Sequence, residues 1–225
     1  MGESGLAEFR KSGAIRFNGE LRSRLSELEG ILGALPPGEA GVRITGLAGL
    51  SSALSAEGYI GSIAAKAIGP NARPVRALLF NKTAATNWSL AWHQDRTICV
   101  KERHELTGFA PWTVKQGILH VAPPFALLER MVTLRAHLDD VPEDNAPLLV
   151  APGSHLLGRL AVDEVDAAVQ RCGTITCLAD AGDVWLYSTP ILHASKAAAT
   201  PKQRRVLQVD YSTDTLPAPL EWLGV

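Results

Sequence analysis

Two histidines, one aspartate and one arginine stand out in the sequence because of their types and their spacing. His93 and Asp95 are separated by one residue, His193 follows much later, and Arg204 comes eleven residues after His193. Two imidazoles and a carboxylate can occupy one face of an octahedral Fe(II) and leave the opposite face open. A nearby guanidinium can hold the far carboxylate of a bidentate acid. These side chains predict an oxygen-activating, non-haem iron site.

The spacing of His93 and Asp95 suits two ligands on one extended segment, because residues i and i+2 of a strand share a face. The third ligand must then come from a distant strand. The pair alone is a weak signal, and His193 has only a modest advantage over the other candidates for the third position. Four other histidines compete with it: His104, His120, His137 and His155.

The composition is that of an ordinary globular protein. The chain has 225 residues, of which 46% are hydrophobic and 20% charged, and this length fits one domain. The formal net charge is −1, so there is no basic excess to neutralise phosphates, and we expect no nucleic-acid partner.

The cysteines and the N-terminal segment indicate the cellular compartment in which the protein is expected. Cys99, Cys172 and Cys177 form an odd set without paired spacing, which indicates free thiols in a reducing environment. The segment 1–10 carries Glu3 and Glu8 and lacks the apolar core of a signal peptide. The sequence contains no apolar run long enough to cross a membrane. We therefore expect a cytoplasmic protein without a membrane partner, and the oligomeric state stays open.

The predicted secondary structure that must position the site changes along the chain from helices to strands. Leucine spacing predicts a helix over Leu21–Leu35, and an Ala-rich run predicts another from about Ser52 to Ile68. Beyond Pro74 the chain consists of short β-prone runs between turn residues, which is typical of a closed or double-sheet β architecture. These runs are Val75–Phe80, Thr97–Val100, Gly117–Val121, Met131–Leu138, Leu148–Val150, Thr174–Leu178, Val184–Tyr187 and Val206–Tyr211.

This pattern predicts a mainly β protein in which N-terminal helices pack outside a β core. We expect a single domain over residues 1–225, with a helical part at 1–72, the β core at 73–215 and a C-terminal tail at 216–225.

An ordered set of short motifs resembles the phytanoyl-CoA dioxygenase family of Fe(II)/2-oxoglutarate oxygenases. The resemblance covers about residues 75–215. Ala146 and Ala194 stand where the family usually has glycine, and neither change removes a functional side chain. The motifs are Trp92-His93-Gln94-Asp95, Asn145-Ala146-Pro147-Leu148, Pro152-Gly153-Ser154-His155, Gly182-Asp183, His193-Ala194-Ser195 and Arg204-Arg205-Val206-Leu207.

The resemblance implies a double-stranded β-helix, or jelly roll, with His93, Asp95 and His193 as iron ligands. It implies 2-oxoglutarate and O2 as cosubstrates, with Arg204 at the far carboxylate of 2-oxoglutarate. A small organic substrate would be hydroxylated with release of succinate and CO2. Asp95 favours hydroxylation over halogenation, because relatives that bind halide have a small residue there. The alternative is a cupin-like jelly roll that binds a metal or a small acid without redox chemistry.

Further side chains have two interpretations each. On a strand Arg204 and Arg205 face opposite ways; the family spacing turns Arg204 inward, whereas a hydrophobic count would turn Arg205 inward. Ser195 is either a donor to the cosubstrate or a turn serine. Lys82 either pairs with a carboxylate or is a surface lysine at a strand end. Arg135 either lines the pocket or faces solvent.

Overall fold

The computed structural model describes residues 2–36 and 38–225. Its α-helices are α1 Glu3–Ser12, α2 Leu25–Leu32, α3 Leu50–Leu54, α4 Gly61–Ile68, α5 Phe125–Glu129 and α6 Val165–Cys172. Its strands are β1 Ala14–Phe17, β2 Gly41–Ile44, β3 Arg73–Lys82, β4 Leu90–His93, β5 Ile98–Cys99, β6 Trp112–Lys115, β7 Ile118–Val121, β8 Val132–His137, β9 Leu148–Val150, β10 Ile175–Cys177, β11 Val184–Ser188, β12 His193–Ser195 and β13 Arg204–Ser212.

Two antiparallel sheets enclose the interior of the molecule. The large sheet has the order β1-β11-β8-β13-β3-β2, and the small sheet has the order β10-β9-β12-β4. A third sheet, β5-β7-β6, lies beside them and contributes Lys115 to the cavity between the first two. The sheet orders skip along the sequence, so residues distant in sequence become neighbours in the structure.

The two faces of the large sheet differ in chemistry because side chains alternate along each strand. Leu207, Val209 and Tyr211 of β13 pack with the N-terminal helices in the main apolar core. Gln208 and Arg204, on the other face of β13, line the cavity. Within residues 2–36 and 38–225 none of the helices is long and apolar enough to cross a membrane.

The N-terminal part differs from the helical segment that the sequence predicts for residues 1–72. It also contains α1 and the strands β1 and β2, which pair with β11 and β3 in the large sheet. The run expected from Ser52 to Ile68 is split into α3 and α4. The backbone between them has no room for a side chain at two glycines: a Cβ on Gly58 would lie 2.2 Å from the Ser52 carbonyl oxygen, and one on Gly61 would lie 2.0 Å from that of Ser55. The chain therefore turns tightly between the two helices.

The C-terminal segment is packed, in contrast to the expected tail at 216–225. Leu216 and Leu220 are buried with Ile98 and Val121 in a second apolar cluster. The backbone N–H of Leu223 donates to the Cys99 carbonyl at 3.1 Å. This segment thus covers the third sheet, which carries one wall of the cavity mouth.

Candidate active site

The small sheet brings the three candidate metal ligands together. His93 is the last residue of β4, Asp95 follows two residues later, and His193 begins β12. β4 and β12 are antiparallel neighbours in which His93 lies directly opposite His193. The ligand atoms of the three side chains all lie within 4.8 Å of one another. The extended segment that ends β4 therefore supplies two donors to one point in space, and β12 supplies the third.

Both imidazoles have Nε2 free to face the point where the three candidate ligand side chains meet. Nδ1 of His93 lies 2.8 Å from the Ala91 carbonyl oxygen, and Nδ1 of His193 lies 2.9 Å from that of Ile191. An Nδ1–H that donates to a carbonyl leaves the lone pair on Nε2, which is the form that binds a metal. Burial lowers the pKa of His193 to about 4, so this ring is neutral at physiological pH.

Asp95 is kept ionised by a buried arginine. Arg76 of β3 donates to Asp95 Oδ2 at 3.3 Å and to Asp210 Oδ2 at 2.5 Å. Burial alone would raise the pKa of Asp95, but the Arg76 guanidinium and the neighbouring imidazoles hold it below its usual value. Asp210, deeper in the sheet, also accepts a hydrogen bond from Thr133 at 3.0 Å. The candidate ligand is therefore an oriented carboxylate.

Gln94, between the two ligands, points away from them and anchors their segment. It is 3% exposed, and its amide donates to the carbonyl oxygens of Gly158 and Pro190 at 2.9 and 3.0 Å. Its oxygen accepts from the Leu160 N–H at 3.0 Å. The sequence does not reveal that Gln94 anchors this segment, and sequence reasoning misses Arg76 entirely. The sequence around Arg76 does not indicate its role, because its partners lie in other segments of the chain.

A cavity of about 450 Å³ opens between the sheets beside the three candidate ligands, and Arg204, Lys82, Arg135 and Ser195 also line it. Arg204 and Lys82 face each other on the paired strands β13 and β3. Arg204 donates to the Ala146 carbonyl at 2.8 Å. Lys82 donates to Ser195 Oγ at 3.1 Å and to the Trp88 carbonyl at 2.7 Å. These groups form a cationic end of the cavity, which we call the inner group: Lys82, Arg135 and Arg204.

The inner group lacks negative partners within the part of the chain that the structure describes. None of its members is in an ion pair, and the Nε atoms of Arg135 and Arg204 are buried without a hydrogen-bond partner. Burial, with Arg204 and Arg135 adding to it, lowers the pKa of Lys82 to about 8. Burial and Arg135 lower the pKa of Arg204 to about 9, which leaves it cationic at neutral pH. Buried charge of this kind is costly without a counter-ion, so the cavity suits an anion.

Some of the alternatives that the sequence leaves open are decided by burial. Lys82 and Arg135 are 2% and 7% exposed, so the surface-lysine and solvent-facing interpretations are wrong. Arg204 faces the cavity and Arg205 faces the other way. On that face Arg205 pairs with Asp139 at 2.6 Å and with Glu29 at 2.7 Å.

The chain matches the family model described as phytanoyl-CoA dioxygenase (PhyH) over residues 56–206, and it therefore belongs to this family. This confirms the family that the motifs indicate. No curated protein sequence matches the chain.

Solved structures of similar fold confirm the jelly-roll architecture with N-terminal helices. The apo form of EctD from S. alaskensis has a TM-score of 0.67 at 17% identity, and the match covers 100% of this chain and 81% of EctD. HygX from Streptomyces hygroscopicus, with nickel and 2-oxoglutarate bound, has a TM-score of 0.61 at 17% identity, covering 94% and 87% of the two chains. The 2-oxoglutarate-dependent carbocyclase SnoK from nogalamycin biosynthesis has a TM-score of 0.63 at 16% identity, covering 100% and 88%.

Proposed function

We propose that the protein is an Fe(II)- and 2-oxoglutarate-dependent dioxygenase that hydroxylates a small organic substrate. The observation that carries this proposal is the convergence of His93, Asp95 and His193 at one side of a cavity that also holds buried cations without counter-ions. Two neutral imidazoles and one carboxylate with open positions are the donor set of non-haem Fe(II) oxygenases. HygX was crystallised with iron, and separately with nickel and 2-oxoglutarate, which supports the same pair of groups here.

The residues of the chain would hold the reactants in fixed positions. When bound, Fe(II) and 2-oxoglutarate supply the oxidation, which consumes O2, releases succinate and CO2, and transfers one oxygen atom to the substrate. His93, Asp95 and His193 would bind the metal, and Arg76 and Gln94 keep Asp95 and its segment oriented. Arg204 would bind the far carboxylate of 2-oxoglutarate, and Lys82, Ser195 and Arg135 would complete that end. The enclosing sheets would limit the access of water to the reacting groups.

Asp95 favours hydroxylation among the possible outcomes, because a carboxylate occupies the position that a halide would need. The similar structures include an enzyme named as a carbocyclase and one named as an epimerase, SnoK and SnoN. What distinguishes such outcomes is how the substrate is held beside the metal, so the finer reaction type depends on the rest of the cavity.

The proposal is tested without any substrate. Fe(II) and 2-oxoglutarate are added to the apoprotein without oxygen, and the visible charge-transfer band of a 2-oxo acid chelated to Fe(II) is recorded. We expect a band with the wild-type protein and none with His93→Ala. His104→Ala is the matched control, because His104 lies in a loop and pairs only with the exposed Glu102.

Absence of the band in the wild-type protein, with iron bound, would overturn the proposal in favour of a jelly roll that binds a metal or an acid without redox chemistry. A band that persists in His93→Ala would overturn the ligand assignment alone.

A further inference from the structure

The cavity holds far more positive charge than the proposed cosubstrate needs. Asp95 is the one carboxylate among its lining residues in the described part of the chain. Arg76, which also lines it, is compensated by Asp95 and Asp210. Six further cationic side chains line the same space: Arg43, Lys82, Arg96, Lys115, Arg135 and Arg204. None of these six forms an ion pair within residues 2–36 and 38–225.

Five of the six cations fall into two groups, and the sixth, Arg96, donates to the Leu160 carbonyl at 2.6 Å. The inner group, Lys82, Arg135 and Arg204, is where 2-oxoglutarate would place its far carboxylate. Arg43 and Lys115, which we call the rim pair, are contributed by the edge strand β2 and by the third sheet. Arg43 lies on the Asp95 side of the cavity, because Arg43 and Arg76 together line a small crevice beside Cys99 and Arg76 donates to Asp95 at 3.3 Å.

Arg43 of the rim pair is held in place yet retains a free donor. Arg43 donates to the side-chain oxygen of Gln116, at the tip of the β6–β7 hairpin, and its Nε is buried without a partner. Gln116 in turn donates to the Gly41 carbonyl at 3.3 Å, which fixes the hairpin against β2. Lys115, next to Gln116, is exposed and forms no ion pair in the described residues. A neutral amide partner positions Arg43 without cancelling its charge.

The charges of the proposed reactants leave the rim pair uncompensated. The two positive charges of Fe(II) balance the two negative charges of 2-oxoglutarate, so loading both leaves the net charge of the cavity unchanged. The positive charge that remains is available to the molecule that enters last. Phe80, Trp88 and Leu90 also line the cavity and offer apolar surface to the body of that molecule.

We propose that the rim pair binds an acidic group, a carboxylate or a phosphate, of the substrate and so selects small anionic substrates with an apolar body. This inference rests on the proposed function, because it assigns the inner group to 2-oxoglutarate. A guanidinium and an ammonium that line the same cavity can bind such oxyanions through charge-assisted hydrogen bonds.

The test uses fluorine-19 NMR binding of three probes to protein saturated with Zn(II) and 2-oxoglutarate, which needs no turnover. The probes are 4-fluorobenzoate, 4-fluorophenyl phosphate and the neutral 4-fluorobenzamide. We expect at least one anionic probe to bind about tenfold or more tightly than the amide, as one charge-assisted hydrogen bond would give. Lys115→Gln and Arg43→Gln should each remove this preference, whereas Lys11→Gln, the same charge change on the exposed helix α1, should not. The stronger of the two anions identifies the acidic group.

Equal binding of the anions and the amide would overturn the proposal, and so would a preference that survives both rim variants. If instead the preference disappears in Arg204→Met and persists in Lys115→Gln, the anion binds the inner group and the assignment to the rim is wrong. Failure of the proposed function is distinguishable, because the charge-transfer band would then be absent from the wild-type protein and from both rim variants.

Discussion

Arg204 and Arg205 are neighbours in β13, but their guanidinium groups lie on opposite faces of the large sheet. Arg204 points into the cavity with an unpartnered Nε, whereas Arg205 is paired with Asp139 and Glu29. We therefore expect Arg204→Met to raise the Kd of 2-oxoglutarate about 30-fold or more, as the loss of a buried charged partner costs at least about 2 kcal/mol. The measurement is an anaerobic titration of the charge-transfer band.

Arg205→Met is a matched control for this prediction, since it makes the same change one residue away. It removes ion pairs that tie β13 to Asp139 and to α2, so we expect lower thermal stability and an unchanged Kd for 2-oxoglutarate. A Kd that changes equally in the two variants would mean that the effect comes from the strand and not from the cavity.

We expect Lys82 to make the proposed binding of 2-oxoglutarate depend on pH. Burial, together with Arg204 and Arg135, lowers the pKa of Lys82 to about 8 in the free protein. Below this pH its ammonium attracts the dianion, and above it the amine is neutral, so the affinity falls as the pH rises past 8. We expect the Kd of 2-oxoglutarate, measured by calorimetry on Ni(II)-loaded protein, to rise between about pH 8 and pH 9.

Lys82→Met should bind 2-oxoglutarate weakly at neutral pH and lack this rise. The same pKa shift has a consequence for the free protein. The unfolded chain keeps the Lys82 proton up to the ordinary pKa of 10.5, so the contribution of Lys82 to stability becomes more favourable as the pH rises from 8 towards 10.5. A rise in Kd that persists in Lys82→Met would assign the pH dependence to another group.

At the scale of the elements, Arg76 joins three segments that are distant in sequence. Its guanidinium links β3 to Asp210 of β13 and to Asp95 beyond the end of β4. Asp210 is 3% exposed, so Arg76→Leu leaves a buried carboxylate without its cation. We expect this change to lower the free energy of unfolding of the metal-free protein by about 3–5 kcal/mol, measured by urea denaturation.

The double variant Arg76→Leu, Asp210→Asn separates the charge from the packing. Without the buried carboxylate much of the lost stability should return, because the uncompensated charge is the main cost of the single change. A double variant as unstable as Arg76→Leu would show instead that the side chain acts through packing alone.

The elements also show which parts of the fold are readable from sequence. Long strands such as β8 and β13 are predicted because β-branched and apolar residues persist over many positions. The strands β4 and β12 are three or four residues long and contain polar ligands, so no local pattern marks them. They form because β12 pairs with β9 and β4 together, and such pairing is decided by the whole sheet. β1 and β2 are missed for the same reason, each being added to an edge of the large sheet.

The candidate site residues also differ in how far the sequence reveals them. The sequence indicates His93 and Asp95 because two candidate ligands lie on one short segment, and it indicates His193 and Arg204 through the order of the family motifs. Arg76 is not found, because its partner Asp210 is 134 residues away and only the pairing of β3 with β13 brings them together. The burial of Lys82 cannot be predicted from the sequence either, because it depends on contacts with the segment around Ser195.

For the whole molecule, the distribution of charge matters more than its total. The net charge of −1 would weakly repel a dianion, yet cationic side chains line the cavity mouth and interior. Charge concentrated in a cleft attracts anions over distances that salt shortens, because the Debye length falls from about 30 Å at 0.01 M to about 3 Å at 1 M. The association rate constant of 2-oxoglutarate should therefore fall about tenfold over this range of ionic strength.

Stopped-flow mixing of 2-oxoglutarate with the anaerobic Fe(II) protein, followed at the charge-transfer band, measures this rate constant. Lys115→Gln should weaken the salt dependence, because Lys115 is the exposed cation at the mouth, whereas Lys11→Gln should leave it unchanged. The dissociation rate should vary less with salt, since the contacts of the bound dianion are buried. An association rate that does not fall as salt is added would mean that the local charge of the cavity does not govern the approach of 2-oxoglutarate.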